Sequence, residues 1–171
     1  MIAERDYLID TLKRSGIKSQ VYTSMKKLKQ GNEVHIGAVL RNGETFTRSG
    51  SKKIFTDKEG QRKRRVKLWD RSTSLRVVIA DTSEEKVETI LDSFLRNIRK
   101  GMDVDGNWVD IVVGEADWVE EGDSILKAKI AVQFDITFEG GIYEDRDMKP
   151  MDVGSVRLGG QHGREQEGGT P

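Results

Sequence analysis

Lys52 and Lys53, followed by Arg62, Lys63, Arg64, Arg65 and Lys67, form the densest run of like charge in the chain. Cations packed this closely bind partners rather than make or break bonds. They can neutralise phosphates and release counterions, meet an acidic surface on another protein, or keep an exposed edge hairpin soluble. Phe46, Phe55 and Trp69 lie nearby. They do not alternate regularly with the basic residues, as a base-stacking platform would require. Docking on a neighbouring protein is the reading carried forward, with these seven residues as its contacts. The other reactive residue types are sparse. His35 sits in an alternating stretch and His162 near the end, and neither has Ser-His-Asp, metal-ligand or phosphate-loop spacing around it. Asp103-Val104-Asp105-Gly106-Asn107 has the look of a calcium loop but lacks the later bidentate glutamate. A turn between a helix and a strand uses the same residue types. No catalytic residue, metal, cofactor or small-molecule substrate is therefore expected.

Those cations belong to an uneven charge distribution. The 171 residues carry a formal net charge of zero, yet residues 1–80 hold 19 Lys and Arg against 8 Asp and Glu. Residues 81–171 hold 10 against 21. Separate poles result only if the halves stay apart in space, and copies could then dock positive side to negative side. Such a head-to-tail contact generates rings when its rotation closes. If the halves interleave, basic and acidic strands neutralise each other instead. There is no cysteine, so neither a disulfide nor a thiolate metal site can form. The start of the chain lacks an apolar signal core and no apolar run has membrane-spanning length, which points to a soluble protein made in a cytoplasm.

The elements that must hold the basic run can be read from periodicity. Residues 2 to 15 predict a helix with Ile2, Leu8, Ile9 and Leu12 near one face and Gly16 as its stop. A polar stretch containing Met25 to Lys29 follows. Val34, Ile36, Ala38 and Leu40 alternate as a strand, and Asn42-Gly43 is a tight-turn pair. Thr45 to Phe55 and Arg62 to Trp69 flank Asp57-Lys58-Glu59-Gly60, which predicts a protruding basic hairpin over about 45–69. A turn at Asp70 to Thr73 then leads into a strand with Leu75, Val77 and Ile79. From Ser83 to Lys100 the spacing of Val87, Ile90, Leu91, Phe94, Leu95 and Ile98 predicts one long amphipathic helix. Thr82 and Glu85 stand as a capping box at its start, and Gly101 as its end.

Beyond that helix lies a long hairpin, with Trp108 to Val119 as its first strand and the acidic turn Glu120-Glu121-Gly122-Asp123. In its second strand Ala128, Ile130, Val132, Phe134, Ile136 and Phe138 alternate with Lys127, Lys129, Ala131, Gln133, Asp135 and Thr137. The apolar set predicts a buried face. Trp108 and Trp118 are expected to pack into the core at the ends of the first strand. From about residue 146 to 171 the chain turns glycine-rich, with six glycines between Gly154 and Gly169. That composition predicts a flexible tail, ordered only by a partner. The expected organisation is one α+β domain over 1–145, mostly antiparallel sheet, with the N-terminal helix and the long amphipathic helix packed on it.

The order of elements and the phrases WVDIVVGEADW and KAKIAVQFDITFEGGIY resemble the tail terminator (tail completion) proteins of long-tailed bacteriophages and phage-tail-like particles. The resemblance covers roughly residues 1–145. It implies a sheet with helices on one side and a ring of identical subunits, typically six-fold. That ring caps the finished tail tube, stops its polymerisation and presents the surface to which the head joins. The partners implied are other copies of the chain, the tail tube protein and a head–tail connector or neck protein, with DNA only passing through the lumen. The implied location is the head-proximal end of a virion tail assembled in the host cytoplasm. Tail tube and head–tail joining proteins use related folds and stand as alternatives. A nucleic-acid-binding protein using the basic hairpin is a third reading.

Overall fold

The structure is a computed structural model and describes residues 2–31, 33–119 and 130–148. It is α+β, with a six-stranded, mostly antiparallel sheet. Three helices accompany it: α1 (Ile2–Arg14), α2 (Met25–Gln30) and α3 (Glu84–Asn97). The strands are β1 (Ile36–Arg48), β2 (Lys52–Thr56), β3 (Arg62–Asp81), β4 (Gly101–Val104), β5 (Asn107–Val119) and β6 (Ile130–Asp147). The sheet runs β1-β3-β6-β5-β4, and β2 continues beside β3 where β1 stops. Among the described residues no helix is long and apolar enough to cross a membrane.

Alternation along the central strands gives the sheet two apolar faces at one end. Leu75, Val77 and Ile79 of β3 pack with Val132, Phe134, Ile136 and Phe138 of β6. Helices α1 and α3 cover that face with Leu8, Leu12, Val87, Ile90, Leu91 and Phe94. Phe94 meets Phe134 edge-on, ring centroids 5.5 Å apart, a favoured aromatic geometry. On the other face Leu28 of α2 closes a smaller cluster with Ile36, Ala38, Leu40, Val78, Ala80 and Ala131. The segment between α1 and α2 runs along the outer edge of β1, where Tyr22 N–H donates to Gly37 O and Val39 N–H to Tyr22 O. Gly37 permits that approach, since a Cβ there would lie 2.8 Å from Ile17 Cγ2.

Several local expectations yield to longer-range pairing. Asn42-Gly43 is a bulge rather than a turn, because β1 continues through it to Arg48 beside β3. The Asn42 side-chain amide donates to Asp135 Oδ2 at 2.8 Å, spanning β3 to reach β6. No turn occurs at Asp70 to Thr73 either: β3 is one strand of 20 residues, held on both edges. The polar stretch after Gly16 contains α2, capped where Ser24 Oγ accepts from Lys27 N–H at 3.3 Å. Helix α3 spans 14 residues, shorter than the 83–100 expected, and ends at Asn97 rather than at Gly101, which opens β4. Leu95, expected on the apolar stripe, is exposed.

The capping box is not formed, for a definite reason. Ser83 is the N-cap of α3, without a side-chain cap bond, while Thr82 turns back to Asp81. Both its N–H (2.7 Å) and its hydroxyl (3.1 Å) donate to Asp81 Oδ1. His35 Nδ1 lies 2.7 Å from Asp81 Oδ2, and its Nε2 accepts from Lys18 N–H at 3.4 Å. Burial pushes the Asp81 pKa up, but these bonds outweigh it and hold the carboxyl below its ordinary range.

Candidate docking surface

Beyond the helices, β2, β3 and the end of β6 continue as a three-stranded arm. Its tip is the turn at Asp57 to Gln61, where Asp57 Oδ1 accepts from the backbone N–H of Glu59 (2.9 Å) and Gln61 (2.8 Å). Asp57 Oδ2 lies 3.0 Å from Lys63 Nζ. The Gln61 bond, with Lys63 beside it, lowers the Asp57 pKa, and Asp57 in turn raises that of Lys63. Strand β6 supplies the third row through Asp147, paired with Lys63. Arg146 and Asp147 thus belong to the sheet, not to the tail that the composition suggested. The remainder of that tail, from Lys149 on, lies outside the described residues, as does the acidic turn at 120–123.

The registers sort the seven basic residues onto two faces. Lys53 pairs with Arg65 and Phe55 with Lys63. Arg65 pairs in turn with Asp145, Lys63 with Asp147 and Lys67 with Tyr143. Cross-strand partners share a face, so this face carries Lys53, Lys63, Arg65 and Lys67. Its cations are largely answered. Arg65 grips Asp145 with both arms of its guanidinium, at 2.6 and 2.7 Å, and donates to Asn107 Oδ1 at 3.0 Å. The same guanidinium stands 5.0 Å from the Phe55 ring centre. Its bond to Asp145 raises the Arg65 pKa and lowers that of Asp145. Lys67 is paired with Asp70 and lies 5.8 Å from the Tyr143 ring.

The opposite face carries Lys52, Ile54, Arg62 and Arg64, with Glu144 and Arg146 contributed by β6. Here Arg146 pairs with Glu144 at 2.8 Å. Lys52, Arg62 and Arg64 are exposed and have no ion-pair partner among the described residues. Ile54 is 51% exposed in their midst. The face therefore combines uncompensated positive charge with accessible apolar surface. The register and the ion pairs divide the seven: Lys63, Arg65 and Lys67 are paired, whereas Lys52, Lys53, Arg62 and Arg64 have no ion-pair partner among the described residues.

Among the described residues the two halves interleave, because β3 lies between β1 and β6. Arg65–Asp145, Arg76–Asp135 at 2.8 Å and Lys63–Asp147 at 4.0 Å each join the basic half to the acidic half. Acidic surface persists on β5. From Val112 to Val119 its outer edge has no strand partner among the described residues. Exposed there are Val112, Val113, Glu115, Asp117 and Trp118. Trp108 and Trp118, expected in the core, are 60% and 44% exposed. Trp108 lies across Gly101, where a Cβ would sit 2.5 Å from its Cζ2, and its Nε1 donates to Asp110.

The aspartate-rich loop is a two-residue turn between β4 and β5. Asp105 and Gly106 have φ of 53° and 76°, the paired positive values of a type I′ hairpin. Gly106 N–H donates to Asp103 Oδ1 at 2.9 Å. The site thus spends its acidic groups on turn geometry, and among the described residues no group of three or more His, Asp or Glu could hold a metal ion. No protein-family model and no curated protein matches this chain.

Proposed function

We propose that this chain is a structural assembly subunit of the tail terminator kind. In that role copies of it form a ring, typically of six, at the head-proximal end of a phage tail or tail-like particle. The ring ends tube polymerisation and offers the surface to which a connector or neck protein joins. The observation that carries this reading is the arm. Three strands leave the helix-covered core and end in Lys52, Ile54, Arg62 and Arg64, which make no ion pair among the described residues. Ordering such an extension gives the monomer little apolar burial in return. Its use lies in contact with another molecule.

Nucleic acid is the second reading, favoured by the unpaired cations of the same face. Against it, the aromatic rings Phe55 and Tyr143 lie on the other face and are occupied by Arg65 and Lys67. The face that carries the free cations has no ring of its own, so it would hold phosphates but stack no bases, while the exposed Trp108 lies by Lys53, Arg65 and Lys67. Sedimentation of the purified protein, alone and with tail tubes, separates the two. The assembly reading expects a defined ring, or a monomer that becomes one on the tube end. A monomer or dimer that ignores tubes and binds duplex DNA in a salt-dependent way would reverse the choice.

A further inference from the structure

We propose that the Lys52–Ile54–Arg64 face of the arm in one copy docks on the outer edge of β5, around Val113 and Glu115, in the next copy. This rests on the ring reading and names the two surfaces that meet. Their chemistry is complementary. The arm face offers exposed cations around Ile54. The β5 edge offers exposed Val113 near exposed Glu115, which forms no ion pair among the described residues, while Val112 and Asp117 lie on the opposite face of that strand.

Topology makes the contact intermolecular. β2 flanks β3 on the β1 side, and β5 flanks β6 on the other, so the two surfaces belong to opposite edges of one sheet. The arm face also lies about ten residues further along β6 than Val113, at roughly 3.3 Å per residue, so the two do not meet within a copy. Two different patches that face opposite ways form a head-to-tail contact, the type that closes rings. The mode of contact is also constrained. The β5 register shifts between Val113 and Ala116, leaving Gly114 and Glu115 at an irregularity. Such bulges block flat continuation of a sheet, so side chains rather than added backbone ladders carry the docking.

The absence of cysteine from the chain allows a clean proximity test. Ile54→Cys and Val113→Cys are placed in one chain, and the protein is oxidised with and without tail tubes. The expected result is a ladder of covalent multimers on a non-reducing gel. Lys53→Cys with Val113→Cys, on the opposite face of the arm, should cross-link about tenfold less. Arg64→Glu added to the first pair should lower the ladder by about tenfold, as should Glu115→Lys, since reversed charge at a contact repels. Combining both reversals in one chain should restore it, which also guards against a variant that merely misfolds. A multimer by mass that yields no ladder would overturn this contact while leaving the ring reading intact. A monomer with no ladder, tubes present or absent, would overturn both. A ladder indifferent to Glu115→Lys but dispersed by duplex DNA would show that the arm serves phosphates instead.

Discussion

The same strands are built in two ways along their length. Near the helices, β3 and β6 place Val77, Ile79, Val132, Phe134 and Ile136 under α1 and α3, with exposures of 2% or less. Beyond Lys67 and Tyr143, the same pair of strands carries cross-strand Arg65–Asp145 and Lys63–Asp147. The first region gains stability from apolar burial, which neither titrates nor is screened by salt. The second is tied together by exposed charge, which is worth little in water and is screened by salt. On the proposed function, such a sheet holds one end as scaffold and offers the other for contact. Changes in the core should therefore read out as stability, and changes on the arm as assembly.

The largest effect belongs to the core. Phe134→Ala should cost on the order of 3–5 kcal/mol in denaturant unfolding, whereas Gln133→Ala on the other face should be near neutral. Equal losses would mean that the two faces of β6 are not distinct. Next comes Gly106→Ala in the β4–β5 turn. At a φ of 76° an added Cβ strains the left-handed backbone by about 1–2 kcal/mol, and a variant as stable as the parent would remove the type I′ assignment.

A pH effect sharpens the boundary between the regions. Glu44 accepts from Arg71 at 2.7 Å and from Arg41 at 3.0 Å. The Arg71 bond chiefly lowers its pKa, against the opposing pull of burial. A carboxyl depressed on folding stabilises the protein fully above its unfolded value and loses that contribution as pH falls through its folded value. Acid titration of unfolding should therefore be steeper below about pH 4.3 for the parent than for Glu44→Gln. Superimposable curves would show that the Arg71 bond does not survive in solution. The smallest effect on the fold is expected at the arm tip, where Arg62→Ala and Arg64→Ala should each change stability by less than about 0.5 kcal/mol.

Periodicity carried much of the scaffold in the sequence. The apolar alternation of β6 and the spacing of Val87, Ile90, Leu91 and Phe94 report burial directly. Local turn signals misled where a strand was central. Asn42-Gly43 and Asp70 to Thr73 favour turns, but the 12 residues of β1 paired with β3, and β6 on the other side, outweigh them. The capping box failed because its threonine had a better partner in Asp81, which adjacency in sequence does not reveal. Trp108 and Trp118 illustrate the same limit. Their size argues for burial, yet Trp108 alternates with the buried Val109 and Trp118 lies where β5 has no outer strand partner among the described residues. At the arm, composition locates the cations, but which are free depends on register with β6, some eighty residues away.

On the proposed function, the free face of the arm is what lets this chain cap a tube. The most direct test of that role is tail length and head attachment in particles assembled with Arg62→Glu and Arg64→Glu in place of the parent chain. A folded variant that fails to cap is expected, leaving tails of irregular length without heads. Tails of normal length bearing heads would contradict it.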